Sequence, residues 1–173
     1  MFIAPVSLPE YLLVQALSGI FKALCIFIPA SFAANSLFGV NVYSLGAINL
    51  VFFLLNLILF AISLGIIILG LIFRFGTRIQ AFAWGLLPIF QPLTAAFYPV
   101  SVLPGVLPVI AYALPPTYIF EAIRASTAHA QVQWQFIGMS FLINSIYLIF
   151  SLWFFNKMFN KSKEKGQFAR LEG

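Results

Sequence analysis

Two charged residues stand alone in the middle of this chain. Glu121 and Arg124 are the only Asp, Glu, Lys or Arg between Arg78 and Lys157. Three residues apart on a helix, they share one face and can satisfy each other. An exposed pair at a water boundary would contribute only about 0.5 kcal/mol. The other reading is a lip at the outer end of a path, where Arg124 meets an anionic lipid or a substrate. His129 follows in the polar stretch Ser126–Gln131, and its expected state is a solvated loop histidine. No Ser stands in a G-x-S-x-G context to pair with it, so a membrane enzyme is disfavoured. One His and one Cys far apart make no metal-ligand spacing, and no G-x-x-x-x-G-K-[ST] loop is present to hold a nucleotide. The expectation is therefore no catalytic residue, cofactor or metal in this chain.

The elements that must position this pair are membrane spans. Of 173 residues, 62% are hydrophobic and 8% charged, against about 25% charged in a soluble domain; mean hydropathy is +1.05. No charged residue occurs from Ala23 to Phe73, from Ile79 to Phe120, or from Ala125 to Asn156. The first gap accommodates two crossings, the second one crossing plus a broken segment, and the third one crossing. The predicted spans are Ala23–Phe38 with a kink at Pro29, Ala47–Phe73, Ile79–Tyr98 and Phe136–Phe155. Trp134 and Trp153 are the expected interface anchors of the last span. Asn49, Asn56 and Asn144 are expected to bridge helices, at about 0.6 kcal/mol each, and Gln91 to bond a carbonyl freed by Pro92.

The stretch between Ala95 and Ala125 cannot be an ordinary span. Pro99, Pro104, Pro108, Pro115 and Pro116 interrupt it, and each internal proline removes a donor and clashes with the preceding turn. Its apolar part, Val100 to Leu114, is about 15 residues where a crossing needs about 20. Such backbone dips into a membrane only where protein or a water-filled cavity covers it. Pro115-Pro116 should open the helix that carries Glu121 and Arg124.

The N-terminal stretch matches a capping box, with Ser7 as N-cap and Glu10 at the third helical position. Residues 1–21 are read as an interfacial helix lying on the membrane, because Lys22 would otherwise sit deep in the bilayer. Residues 22–156 hold the spans and the broken segment, and 157–173 a basic, solvated, partly disordered tail; the whole is one domain. The net charge of +5 sits at the ends of apolar runs rather than on one solvated face, so no nucleic-acid partner is expected. Arg74, Arg78 and the lysines after Asn156 are two crossings apart. Both groups, with both termini, therefore fall on the cytoplasmic side, and Glu121, Arg124 and His129 outside.

Phe97–Pro104 (FYPVSVLP) followed by Leu114–Ala125 (LPPTYIFEAIRA) resembles the membrane permeases of ABC-2 type exporters. Ala4–Leu13 (APVSLPEYLL) is similar to that family's cytoplasmic element, and the order of apolar runs agrees along the whole chain. The resemblance implies an all-α membrane protein of about four transmembrane helices, with an external re-entrant helical pair and an N-terminal cytoplasmic coupling helix. It also implies a bacterial inner-membrane protein that carries a lipid-linked, glycan or hydrophobic substrate outward while a separate ABC ATPase subunit hydrolyses ATP. Ser7 and Glu10 would couple to that ATPase. Tyr98, Pro99, Pro104, Pro115, Pro116, Glu121 and Arg124 would form the outer gate. Besides the surrounding membrane lipids, the expected partner is a second permease copy or a missing N-terminal permease part. The family has a connecting helix and two further spans ahead of the region matched here. That implies a truncated product, an incomplete gene model or a split permease completed by another polypeptide. The rival from another class is an ATP-independent pore or accessory membrane protein.

Overall fold

The computed structural model describes residues 8–76, 78–129 and 131–164, and all regular structure among them is helical. The chain divides into two units, 1–46 and 47–173, each described by itself. Among the described residues, three helices are long and apolar enough to cross a membrane: Glu10–Phe38, Ala47–Phe75 and Trp134–Lys163.

The first unit is a single long helix with a short return. Helix α1 runs unbroken over Leu8–Phe38, 31 residues, with Pro29 inside it. The sequence predicts a surface helix handing over to a separate span near Lys22, but the backbone shows no such division. Only Gly19 lies near that point, and one glycine costs a helix about 1 kcal/mol, too little to end it. At 1.5 Å per residue α1 measures about 46 Å, longer than the roughly 30 Å hydrocarbon core, so part of it extends beyond any crossing. Large apolar side chains are exposed around most of it, among them Leu13, Phe21, Ile26, Phe32 and Leu37. So wide an apolar surface suits lipid. It ends at Gly39, whose N–H makes the last i→i−4 bond to Asn35 O and whose φ of 67° turns the chain so that Val40 N–H reaches Ala34 O at 3.2 Å. Asn41 then caps a 3-10 turn at Val42–Leu45, and Ser31 Oγ meets the Tyr43 hydroxyl at 2.8 Å.

The second unit is organised by two long helices, α2 (Ala47–Phe75) and α6 (Trp134–Glu164). Phe53 packs with Ile137, Asn144 Nδ2 donates to Asn56 O and Oδ1, both at 3.1 Å, and Ser162 Oγ donates to Phe73 O at 2.6 Å. These partners advance together along both helices, so α2 and α6 are parallel. The seam is lined by small and amide side chains: Asn56, Ser63 and Gly70 on α2, and Ser140, Asn144, Ser151 and Ser162 on α6, nearly all fully buried. A Cβ at Gly70 would lie 3.3 Å from Phe155 Cα. Small residues allow this approach, and amides add bonds across it where lipid offers no hydrophobic drive between helices. The bridging role expected for Asn56 and Asn144 is the one they play.

Parallel neighbours require the chain to come back between them. Helix α3 (Arg78–Leu93) begins that return, running beside α2 so that Phe90 reaches the ring of Phe60. The sequence predicts this span out to Tyr98; the helix stops at 16 residues, about 24 Å, short of a full hydrocarbon core. Helices α4 (Leu107–Tyr112) and α5 (Pro115–His129) complete the return. Ile119 and Ala122 of α5 pack on Phe53 and Ile137 at the N-terminal ends of the long pair. At the opposite end α6 continues to Glu164, where the sequence predicts a partly disordered tail from Lys157. Lysines are good helix formers and favour a helix C-terminus, and the Ser162–Phe73 bond anchors the last turns. Residues 165–173 of that tail lie outside the described residues.

Candidate functional site

The end of α3 decides where the broken segment begins. Ala96 N–H donates to Gln91 O at 3.4 Å and Ala95 N–H to Pro92 O at 3.1 Å. That bonding pattern is a Schellman helix end, which places its fifth residue in the left-handed region. Glycine usually occupies that position; here Ala95 does, with φ of 54°, at a cost of about 1 kcal/mol. Thr94 Oγ1 donates to Gln91 O and the Tyr98 hydroxyl to Pro92 O. Gln91 O and Pro92 O are thus served by Thr94, Tyr98 and the turn, and the Gln91 side chain is exposed.

From Ala95 the backbone folds into two short helical pieces. Pro99 is extended, with φ −67° and ψ 150°, and leads into a 3-10 turn at Val100–Val102. Pro104 precedes Gly105, whose φ is 59°, and Pro104 O accepts from Leu107 N–H at 3.3 Å. Pro108 lies in the first turn of α4, where its missing donor costs nothing. Ala95, Val100 and Ala111 are buried together, with Leu103 against them, while Val102, Val106 and Val109 are exposed. The result is a folded apolar tip on a small buried base.

Glu121 and Arg124 hold that base. As the sequence predicts, Pro115-Pro116 opens α5, and both prolines are buried. Pro115 O accepts from Ser140 Oγ of α6 at 3.1 Å, and Thr117 Oγ1 donates to Ala111 O at 2.6 Å. One turn on, Glu121 Oε1 accepts the Val100 N–H at 2.9 Å and Arg124 Nη2 at 3.0 Å. Arg124 Nη2 also donates to Ala95 O at 2.6 Å. The side chains are 30% exposed for Arg124 and 19% for Glu121. The pair therefore faces the broken segment rather than solvent, and closes it at both ends of the stretch Ala95–Val100. Bonds to charged partners of this kind contribute about 1.5–3 kcal/mol each, well above a solvated surface pair.

Of the residues singled out in the sequence, Tyr98, Pro99, Glu121 and Arg124 converge on this base. Pro115 and Pro116 support it from α5, and Pro104 stands beside Gly105 at the turn before α4. Glu10 is placed elsewhere, in the first turn of α1; Ser7 lies outside the described residues. Beside the base, the rings of Tyr112 and Tyr118 meet at a tilt of 55°, 5.4 Å between centres. Burial, and then the neighbouring Tyr112, push the Tyr118 hydroxyl above its ordinary pKa. Sequence reasoning missed Ala95, Thr117 and Ser140. Thr and Ser inside apolar runs are the one signal that could have pointed to the last two. No protein-family model, curated protein or solved structure matches the chain.

Proposed function

We propose that this chain is the membrane-spanning subunit of an ATP-driven exporter of the ABC-2 type. It would form the path for a lipid-linked, glycan or hydrophobic substrate in a bacterial inner membrane. The observation that carries this reading is the clamp: the only charge pair between Arg78 and Lys157 fastens a proline-broken segment to the helix leading into a membrane span. A plain anchor has no use for such an element. A gate has, because the clamp can be made or broken as a unit.

In this reading α3 is a short third crossing, counted in chain order after α1 and α2 and before α6, and Val100–Val102 with α4 forms the external re-entrant pair. The parallel α2 and α6 put Arg74 and the α6 lysines at one end, which the positive-inside rule makes cytoplasmic. The clamp then lies at the outer face and both termini inside. Glu10 in the first turn of α1, with Ser7 before it in the sequence, would meet the ATPase subunit, and a second permease copy or an N-terminal permease part would complete the path. A ligand shifts a conformational equilibrium only by its differential affinity, so the force to open the clamp has to come from the ATPase.

The test is co-purification from native membranes with a tag on this chain. An ATP-hydrolysing subunit should accompany it, and Glu10→Arg should release that subunit. If no nucleotide-binding protein associates, the exporter reading falls and the ATP-independent pore or accessory protein takes its place. In a Cys25→Ser background, Gly105→Cys should label from outside and Gly76→Cys should not; the reverse pattern overturns the orientation.

A further inference from the structure

The parallel packing of α2 and α6 has a consequence at the end remote from the clamp. It brings Arg74, the last basic residue of α2, to the level of Lys157, Lys161 and Lys163 on α6, since Ser162 bonds Phe73 O and Phe155 packs on Gly70. Charge bias between loops explains why each cation lies on this side of the membrane. The register of the pair adds that Arg74 stands level with the last turns of α6, within about one and a half turns of all three lysines.

Ion pairs do not account for them, although Arg74, Lys157 and Lys163 each lie over an aromatic ring. None of the four forms an ion pair among the described residues; the one ion pair there joins Arg124 and Glu121, at the opposite end of the unit. Helix carbonyls do not need them either, because Phe73 O takes Ser162 Oγ and Ile72 O takes Gly76 N–H. One guanidinium nitrogen of Arg74, Nη1, is shut from solvent without a hydrogen-bond partner. Arginine presents its donors as a rigid fork that matches a phosphate.

The surroundings set the depth of this cluster. Lys157 Nζ lies 4.9 Å from the centre of the Trp153 ring, and the Arg74 guanidinium 5.7 Å from that of Phe75. Both rings are more than half exposed. Trp at such a place marks the membrane–water boundary, where its ring sits among headgroups. The cations therefore stand at the rim of the apolar belt, level with lipid phosphates, rather than out in water where a soluble anion would find them.

We propose that the shared basic end of α2 and α6 is a binding site for the phosphate of an anionic glycerophospholipid, held by Arg74, Lys157 and Lys161. The lipid's acyl chains would lie along the exposed apolar side chains below the cations, beside Trp153. The site rests on the membrane reading alone; loss of the exporter proposal would leave it standing.

The experiment is native mass spectrometry of the full chain released from detergent with phosphatidylglycerol or phosphatidylcholine added. Phosphatidylglycerol should be retained about ten-fold or more over phosphatidylcholine, as several juxtamembrane cations imply. Arg74→Gln with Lys157→Gln should bring the two lipids level without changing retention of phosphatidylcholine. A photoactivatable phosphatidylglycerol, which needs no variant, should crosslink to peptides containing 70–76 and 153–161. Equal retention of both lipids, undiminished retention by the double variant, or crosslinks confined elsewhere overturns the site. So does displacement of the lipid by millimolar inorganic phosphate, which would mark a free-anion site.

Discussion

The seam between α2 and α6 and the broken segment beside it are held by different chemistry. Along the seam, neutral groups do the holding: Gly70 lets the backbones close up, Asn144 bonds Asn56, and Ser162 bonds Phe73 O. At the broken segment, charge does it, through one carboxylate oxygen that serves both Val100 N–H and Arg124. The seam distributes its stability over many weak contacts buried from water. The clamp concentrates it in a few strong bonds that are still partly exposed. A distributed seam fails only as a whole, whereas a concentrated clamp opens locally while the pair stays intact. This contrast is what a permanent scaffold carrying a movable element requires.

Substitutions at the two places should separate these behaviours. The largest effect is expected at Gly70→Leu, which forces side-chain volume against the Phe155 backbone. Overpacking of this kind should destabilise the folded chain by about 3 kcal/mol, read as a lower thermal midpoint in detergent for the whole protein. An unchanged midpoint would mean the seam is looser than its geometry.

Glu121→Ala should cost about 2 kcal/mol, but locally. Hydrogen exchange across 95–103 should quicken by about 30-fold, while peptides of α2 and α6 exchange as before. If the long helices loosen as well, the clamp is part of the scaffold and the comparison collapses. The smallest effect is expected at Ala95→Gly. Relief of a positive φ is set against the extra freedom glycine has when unfolded, so the gain should be under about 1 kcal/mol. Slower exchange at 95–103 with an unmoved midpoint would sharpen the contrast; faster exchange would show that Ala95 is unstrained.

Much of the architecture was legible. Charge gaps located the long apolar helices, Pro115-Pro116 gave the start of α5, and the spacing of Glu121 and Arg124 gave their shared face. The ends of helices were legible where glycine marks them, as at Gly39 and Gly76, both with positive φ. They were not legible at Ala95, because alanine there looks like good helix and only the Schellman bonds show otherwise. The α1 boundary failed for the opposite reason. A lone Lys22 reads as a barrier in a hydropathy argument but does not interrupt a hydrogen-bond ladder.

By itself the sequence determined that this is a helical, membrane-spanning chain, since hydropathy and charge placement are local properties of each segment. It also marked the stretch from Pro99 to Pro116 as broken, because prolines crowded together act on their own backbone where the single prolines inside α1 and α3 do not end a helix. Only the tertiary structure decided what Glu121 and Arg124 grip, since Ala95 and Val100 offer a carbonyl and an amide that no residue type announces. The same holds for the parallel seam that gathers Arg74 with the α6 lysines. Partners 88 and 89 residues apart are chosen by how helices fit together, and fit is a property of surfaces in space rather than of order along the chain.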